Sequence, residues 1–134
     1  MKYAAPLVAL AIATLSLAGA AQAHHSAAMY DAANPIEISG TVKAVRWVNP
    51  HVQVDVAVDA ANGAQARTWQ LEASSPGVMT RAGWSKRTLN PGDKVTFLVH
   101  PHRSGEASGI FRRVTLPSGK TLVWLMNAGE KTLP

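Results

Sequence analysis

The 134-residue sequence contains no cysteine. It therefore forms no disulfide, offers no thiolate to a metal ion, and lacks the acylated cysteine that a lipoprotein anchor requires. Long apolar runs are also scarce. Residues 4–18 form one almost unbroken run, but it is too short and too rich in alanine for a membrane-spanning helix, which needs roughly 20 strongly apolar residues. No later run qualifies.

The apolar run at 4–18 has the features of a secretory signal peptide. Lys2 supplies the positive charge before it, and Ala21-Gln22-Ala23 is the small-x-small pattern that signal peptidase prefers. We therefore expect cleavage after Ala23 and a soluble periplasmic or secreted product without a membrane span. Removal of the signal peptide, 1–23, would leave 111 residues, the size of one domain, and change the formal charge from +5 to +4.

The start of the mature chain predicts an arm followed by a bent strand. Residues 24–35 predict an extended N-terminal arm that ends at the Asn-Pro turn signal at 34–35. Apolar and polar residues then alternate from Ile36 to Val42, as in a half-buried strand. Val45 and Trp47 have the opposite parity, which indicates a bulge or sharp bend within this strand.

Two further strands and a helix follow. Valines at every second position from Val52 to Val58 predict the second strand, and the alternation over 68–73 predicts the third. The Asn-Gly pair at 62–63 predicts a hairpin turn between them. A Ser cap followed by Pro, and a later Gly terminator, predict a short helix over about 75–83.

The remaining pattern completes a small β-barrel. Strands are predicted at 95–99, about 110–116 and 121–125, with a polar loop over 101–109. The OB-fold has this order of elements: three strands, of which the first is bent, then a short helix, then two or more strands. We expect a mostly β, OB-fold-like barrel of five to six strands over 36–126, with one short helix between strands three and four, and a tail over 127–134. A generic open β-barrel with a helical insertion is the alternative.

The histidines offer the most specific chemistry in the chain: His24, His25, His51, His100 and His102. Cleavage after Ala23 would give His24 a free α-amine, which can chelate a metal ion together with its own imidazole ring. In an OB barrel the loop after strand one lies near the loop after strand four, so His51 should lie at the same pole as His100 and His102. At about 3.3 Å per residue, the arm is long enough to bring His24 there.

This set of histidines predicts a protein that binds a metal ion, with copper favoured over zinc or nickel. Imidazoles without thiolates suit Cu(II) or Ni(II) in a tetragonal site, or Zn in a three-His site. We expect His24, His51 and His100 to be the ligands, with His25 and His102 as auxiliary ligands. The spacing matches no established zinc motif. The alternative interpretation is that His51 and His100 hydrogen-bond loop carbonyls while the N-terminal pair binds nothing.

No complete catalytic motif is present, so the sequence predicts no enzyme activity. Asp55 and Glu72 could face each other across strands two and three, but they form no obvious acid/base pair. Arg103, Arg112 and Arg113 form a basic group too sparse to predict nucleic-acid binding. They support an alternative function, a metal-free interaction module that docks an envelope protein, an envelope polymer or a small anionic ligand.

The order of short motifs resembles an uncharacterised family of small exported bacterial proteins, a domain of unknown function. The matching segments span essentially the whole mature chain: His24-His25-Ser26, Gly40-Thr41-Val42, Trp47-Val48-Asn49-Pro50-His51, Ser75-Pro76-Gly77, Gly83-Trp84, Leu89-Asn90-Pro91-Gly92-Asp93 and His100-Pro101. The resemblance implies a secreted β-barrel-type domain, with no established activity and no catalytic residue. It places four of the five histidines within the signature segments, and His102 just outside them.

Overall fold

The computed structural model describes residues 28–59 and 66–124. Their secondary structure consists of six strands and one short helix, in the order β1 (Ile36–Arg46), β2 (Gln53–Val58), β3 (Arg67–Glu72), α1 (Pro76–Arg81), β4 (Lys94–Pro101), β5 (Ser108–Thr115) and β6 (Thr121–Val123). The predicted signal peptide, the hairpin turn at 62–63 and the tail at 127–134 lie outside the described residues. So do His24 and His25.

Strands β1 to β5 form a closed barrel. Antiparallel pairing joins them in the order β3-β2-β1-β4-β5, and parallel pairing of β3 with the start of β5 closes the ring. β6 extends the sheet beyond this closure by pairing with the last part of β5. The predicted OB-fold-like barrel, with one short helix between its third and fourth strands, is therefore confirmed.

β1 pairs with β4 along its first half and with β2 along its second half, and a bulge lies within the pairing with β2. Val42 pairs with Val56, but Ala44 pairs with Asp55, so Lys43 is the extra residue. One inserted residue reverses which face each following side chain takes. The bulge is thus the cause of the parity change in the apolar pattern.

Apolar side chains from β1 to β5 fill the barrel. The largest fully buried ones are Phe97 of β4 and Phe111 of β5, whose ring centroids lie 5.0 Å apart. The valines of β2 point inward as their spacing predicts. Met79 of α1 is completely buried, so the helix covers one end of the core. The described part of the chain contains no helix with the length and apolar character that a bilayer crossing needs.

The structure differs from the sequence pattern most at the connection between β4 and β5. β4 continues to Pro101 and β5 begins at Ser108, so the connection is shorter than the predicted loop over 101–109. Gly109 explains the early start of β5, because a Cβ there would lie 2.6 Å from the carbonyl oxygen of His100. A glycine that permits such close backbone approach looks like a loop residue in the sequence.

Candidate functional site

The described end of the N-terminal arm docks on the β4–β5 connection. The Asp31 amide donates to the carbonyl of Pro101 at 2.8 Å, and the Arg103 amide donates to the carbonyl of Met29 at 2.8 Å. Arg103 Nε also donates to the carbonyl of Ala28 at 3.2 Å. Three backbone carbonyls and one arginine therefore fix residues 28–31 at the pole where β4 ends.

Two clefts adjoin this docked segment, and they share Tyr30 and Glu72. The first, here called the Trp124 cleft, has a volume of about 140 Å³. Its lining includes Tyr30, His51, Glu72, Ser74, Ile110 and Trp124. The second, here called the polar cleft, has a volume of about 540 Å³. Its lining includes Arg46, Gln53, Gln70, Glu72, Glu106 and Ser108, with Tyr30 and His102 at its border with the arm.

His51 contacts the Glu72 carboxylate in the Trp124 cleft. The contact joins His51 Nδ1 to Glu72 Oε1, and the two side chains are 45% and 30% exposed. A carboxylate accepts hydrogen bonds and does not donate them, so Nδ1 carries the hydrogen. In the neutral ring Nε2 then holds the free lone pair, which is the arrangement of a histidine oriented to bind a metal ion.

Tyr30 forms the wall between the two clefts. Its ring meets the ring of His102 edge-on, with centroids 5.5 Å apart and an interplanar angle of 88°. Burial, followed by the nearby negative charge of Glu72, raises the pKa of the Tyr30 phenol. The phenol therefore stays neutral in the physiological range and offers a hydrogen-bond donor.

The neutral His102 ring is the opposite tautomer to the neutral His51 ring. The backbone N–H of Ser104 donates to His102 Nδ1 at 3.2 Å, and the Ser104 hydroxyl lies 2.6 Å from the same nitrogen. Because a backbone N–H is always a donor, Nδ1 is the acceptor, and the neutral ring carries its hydrogen on Nε2. His102 thus presents a donor, whereas His51 presents a lone pair.

His100 lies half-buried on β4 opposite Ile110 and lines neither cleft. Within residues 28–59 and 66–124, no three His, Asp or Glu side chains come close enough together to hold a metal ion. The structure therefore brings His51 and His102 to neighbouring clefts that share Tyr30, and it does not add His100 to them. His24 and His25 fall outside the described residues, so the complete predicted ligand set is not seen.

The two carboxylates that the sequence suggested as cross-strand neighbours have other partners. Asp55 lies opposite Gln70 and Glu72 lies opposite Gln53. Asp55 accepts two hydrogen bonds from Arg46, at 2.7 and 2.8 Å, and this guanidinium lowers the pKa of the Asp55 carboxyl. The sequence predicts Glu72 only as a neighbour of Asp55, and its contact with His51 was not predicted. The alternation of polar and apolar residues in β3 predicts that the Glu72 side chain points outward, but nothing in the sequence shows that His51 lies beside it.

The three arginines of the predicted basic group do not form one patch. Arg112 is buried, with its guanidinium carbon 4.8 Å from the centre of the Trp124 ring. Arg113 donates to Glu37 at 2.8 Å, and Arg103 lies 3.4 Å from Asp31. Adjacent residues of a strand point to opposite faces, which is why Arg112 and Arg113 separate.

Comparison with known proteins gives a family and no activity. The model of a family of unknown function, DUF6152, matches residues 11–113 of the chain. No curated protein and no solved structure matches the chain. Because the family model covers well over half of the sequence, the protein belongs to DUF6152, a family of unknown function.

Proposed function

We propose that the protein is exported, that cleavage after Ala23 creates a new N-terminus at His24, and that the mature protein binds a metal ion at the Trp124 cleft. Copper is the favoured metal. The ligands are the α-amine and ring of His24 together with Nε2 of His51. The observation that carries this proposal is the contact between His51 Nδ1 and Glu72, which leaves Nε2 as the coordinating nitrogen.

The contact with Glu72 supports metal binding because metal-bound histidines usually donate their other ring N–H to a carboxylate or carbonyl. Such a partner fixes the ring and makes the coordinating nitrogen more basic. Loss of the partner typically weakens metal binding by about 10- to 100-fold.

The docked arm supports the participation of His24. Tyr30 lines the same cleft as His51, and the chain is anchored there through Ala28 and Met29. Six extended residues span at most about 20 Å, so the covalent chain allows His24 to reach the cleft.

Nitrogen ligands without thiolates support copper as the metal. A primary amine and two imidazoles provide three nitrogens, which suit a tetragonal Cu(II) site, and Cu(II) leads the usual order of divalent affinities. All three nitrogens must be deprotonated to bind, so affinity is expected to fall as the pH is lowered.

The test is a titration of the mature protein, produced with an authentic His24 N-terminus that intact mass verifies. Cu(II), Zn(II) and Ni(II) are titrated by calorimetry, and EPR of the Cu(II) form counts the coordinated nitrogens. We expect His51→Ala to abolish tight binding and Glu72→Gln to weaken it by roughly tenfold or more. One extra alanine before His24 should weaken it too, because the amine then no longer belongs to the histidine.

His102→Ala is the matched control, since that ring presents a donor and should leave the affinity unchanged. His100→Ala separates this ligand set from the one that the sequence predicts. Unchanged affinity in His51→Ala, or no binding tighter than the micromolar range in the wild type, would show that the proposed site is wrong.

A further inference from the structure

The polar cleft is large enough for an organic ligand and adjoins the proposed metal site, with which it shares Tyr30 and Glu72. Its volume of about 540 Å³ lies within the range of roughly 300–1,000 Å³ that is common for small-molecule sites. Such sites are usually apolar, whereas this one is lined mainly by amide, carboxylate and hydroxyl side chains. The cleft therefore suits a hydrophilic ligand.

Strand register assembles this lining in two rows across the outside of the barrel. Arg46, Gln53 and Glu72 are successive partners across β1, β2 and β3. Gln70 lies in the neighbouring row and pairs with Ser108 of β5. Residues in register on adjacent strands have Cβ atoms about 5 Å apart, so each row is a ladder of closely spaced polar groups.

Several of these groups keep free hydrogen-bonding capacity. Gln53 accepts from Arg46 Nε at 2.9 Å, which leaves its amide NH₂ without an acceptor among the described residues. Within the same part of the chain the side chains of Gln70, Glu106 and Ser108 make no hydrogen bond through their functional groups. Donors and acceptors thus stand side by side, and hydroxyl groups can satisfy both because each one donates and accepts.

The charges of the cleft disfavour polyanions. Its one guanidinium, on Arg46, is already bound by both carboxylate oxygens of Asp55. Glu72 and Glu106 add two carboxylates, so a phosphate or sulfate group would meet net negative charge. A polycation gains little either, because Glu72 already contacts His51 and Glu106 is the one carboxylate of the lining without a partner among the described residues.

A bound peptide strand is also disfavoured. Peptides commonly bind β-proteins by adding a strand to an exposed edge. Around the polar cleft, β1, β2, β3 and the start of β5 all belong to the closed ring of strands β1 to β5, so the backbone groups of the paired segments are already bonded. Recognition must therefore come mainly from side chains.

We propose that the polar cleft binds a segment of a neutral, hydroxyl-rich glycan. The amide pairs of Gln53 and Gln70 hydrogen-bond its hydroxyls, with Ser108 and Glu106 as further partners. Tyr30 provides a neutral phenol donor at the end of the cleft next to the arm. Glycan binding needs no metal ion, so this proposal can be tested separately from the proposed function.

The test uses ¹⁵N-labelled mature protein in EDTA, titrated with neutral oligomers of glucose and of N-acetylglucosamine. The side-chain NH₂ signals of Gln53 and Gln70 report the cleft directly. The NH₂ signal of Asn90, in the turn that precedes β4 and donates to the Arg87 carbonyl, is the internal reference. We expect saturable shifts of both glutamine signals and a constant Asn90 signal.

Variants make the test specific. Gln70→Ala and Gln53→Ala should each weaken binding by roughly three- to tenfold, the value of one hydrogen bond. Thr121→Ala, an exposed position on β6, should have no effect. A well-dispersed spectrum verifies that each variant is folded. The proposal is overturned if no neutral oligosaccharide shifts the glutamine signals, or if those signals respond only to heparin fragments, single-stranded DNA, spermine or an unstructured peptide.

Discussion

At the scale of single residues, the Asp55 carboxylate should determine part of the protein's acid stability. Hydrogen bonds from Arg46 lower the pKa of Asp55 below its ordinary value of 3.8. The ion pair therefore stabilises the folded state at pH values above 3.8, and this contribution is lost as the pH falls through the folded-state pKa. Because Arg46 is 42% exposed and solvent screens the pair, we expect Asp55→Asn to cost about 1 kcal/mol at pH 7.

Urea unfolding from pH 7 to pH 2.5 measures this difference. The free energies of unfolding of the wild type and Asp55→Asn should converge below pH 3.8. Asp59→Asn is the matched control, because Asp59 has no ion-pair partner among the described residues. A gap between wild type and Asp55→Asn that is as large at pH 2.5 as at pH 7 would contradict the role of the ion pair.

Gly40 should be intolerant of any side chain, for reasons of space. A Cβ at this position would collide with the backbone carbonyl of Ala57 and lie 2.9 Å from Val56 Cγ1. Gly40→Ala is expected to lower the free energy of unfolding by roughly 1–3 kcal/mol, the usual cost of overpacking. Gly77→Ala is the control, since the nearest atom to its added Cβ is 3.7 Å away. Equal stability of the two variants in urea would show that the backbone around Gly40 relaxes freely.

At the scale of elements, the start of α1 depends on a side-chain cap. Ser75 Oγ accepts from the Val78 amide at 3.4 Å, and Pro76 occupies the first turn. Ser75→Ala should destabilise the protein by about 1 kcal/mol, measured by urea unfolding. Ser74→Ala provides the comparison, because the Ser74 side chain makes no hydrogen bond among the described residues. A larger loss in Ser74→Ala than in Ser75→Ala would contradict the assignment of the cap.

The elements that could be predicted from sequence are those with a local physical signature. The valines of β2 alternate because one face of the strand is buried, and the parity change near Val45 follows from the bulge at Lys43. The beginning of β5 had no such signature. Gly109 is buried by close contact with the backbone of β4, a non-local cause that periodicity does not record.

At the scale of the whole molecule, the barrel order was predictable, while the contacts of the site were not. Strand order brings the β1–β2 turn near the β4–β5 connection in any OB-fold, which is why His51 and His102 adjoin clefts that share Tyr30. The pairing of His51 with Glu72 depends on the register between β2 and β3. The tautomer of His102 depends on the backbone N–H of Ser104. Neither of these two interactions produces a pattern that can be recognised in the sequence.

The arm should dock on a barrel that folds without it. All buried apolar residues lie between Ile38 and Trp124 of the described chain, so a protein beginning at Asn34 keeps its entire described core. It loses the Met29 carbonyl that accepts from the Arg103 amide, whereas the neighbouring His102 amide keeps its bond to Ser108. We expect hydrogen exchange at Arg103 to accelerate by roughly tenfold or more, with exchange at His102 unchanged. Equal acceleration at both amides would mean that the arm holds the whole β4–β5 connection in place, and unchanged exchange at both would mean that the arm does not dock there in solution.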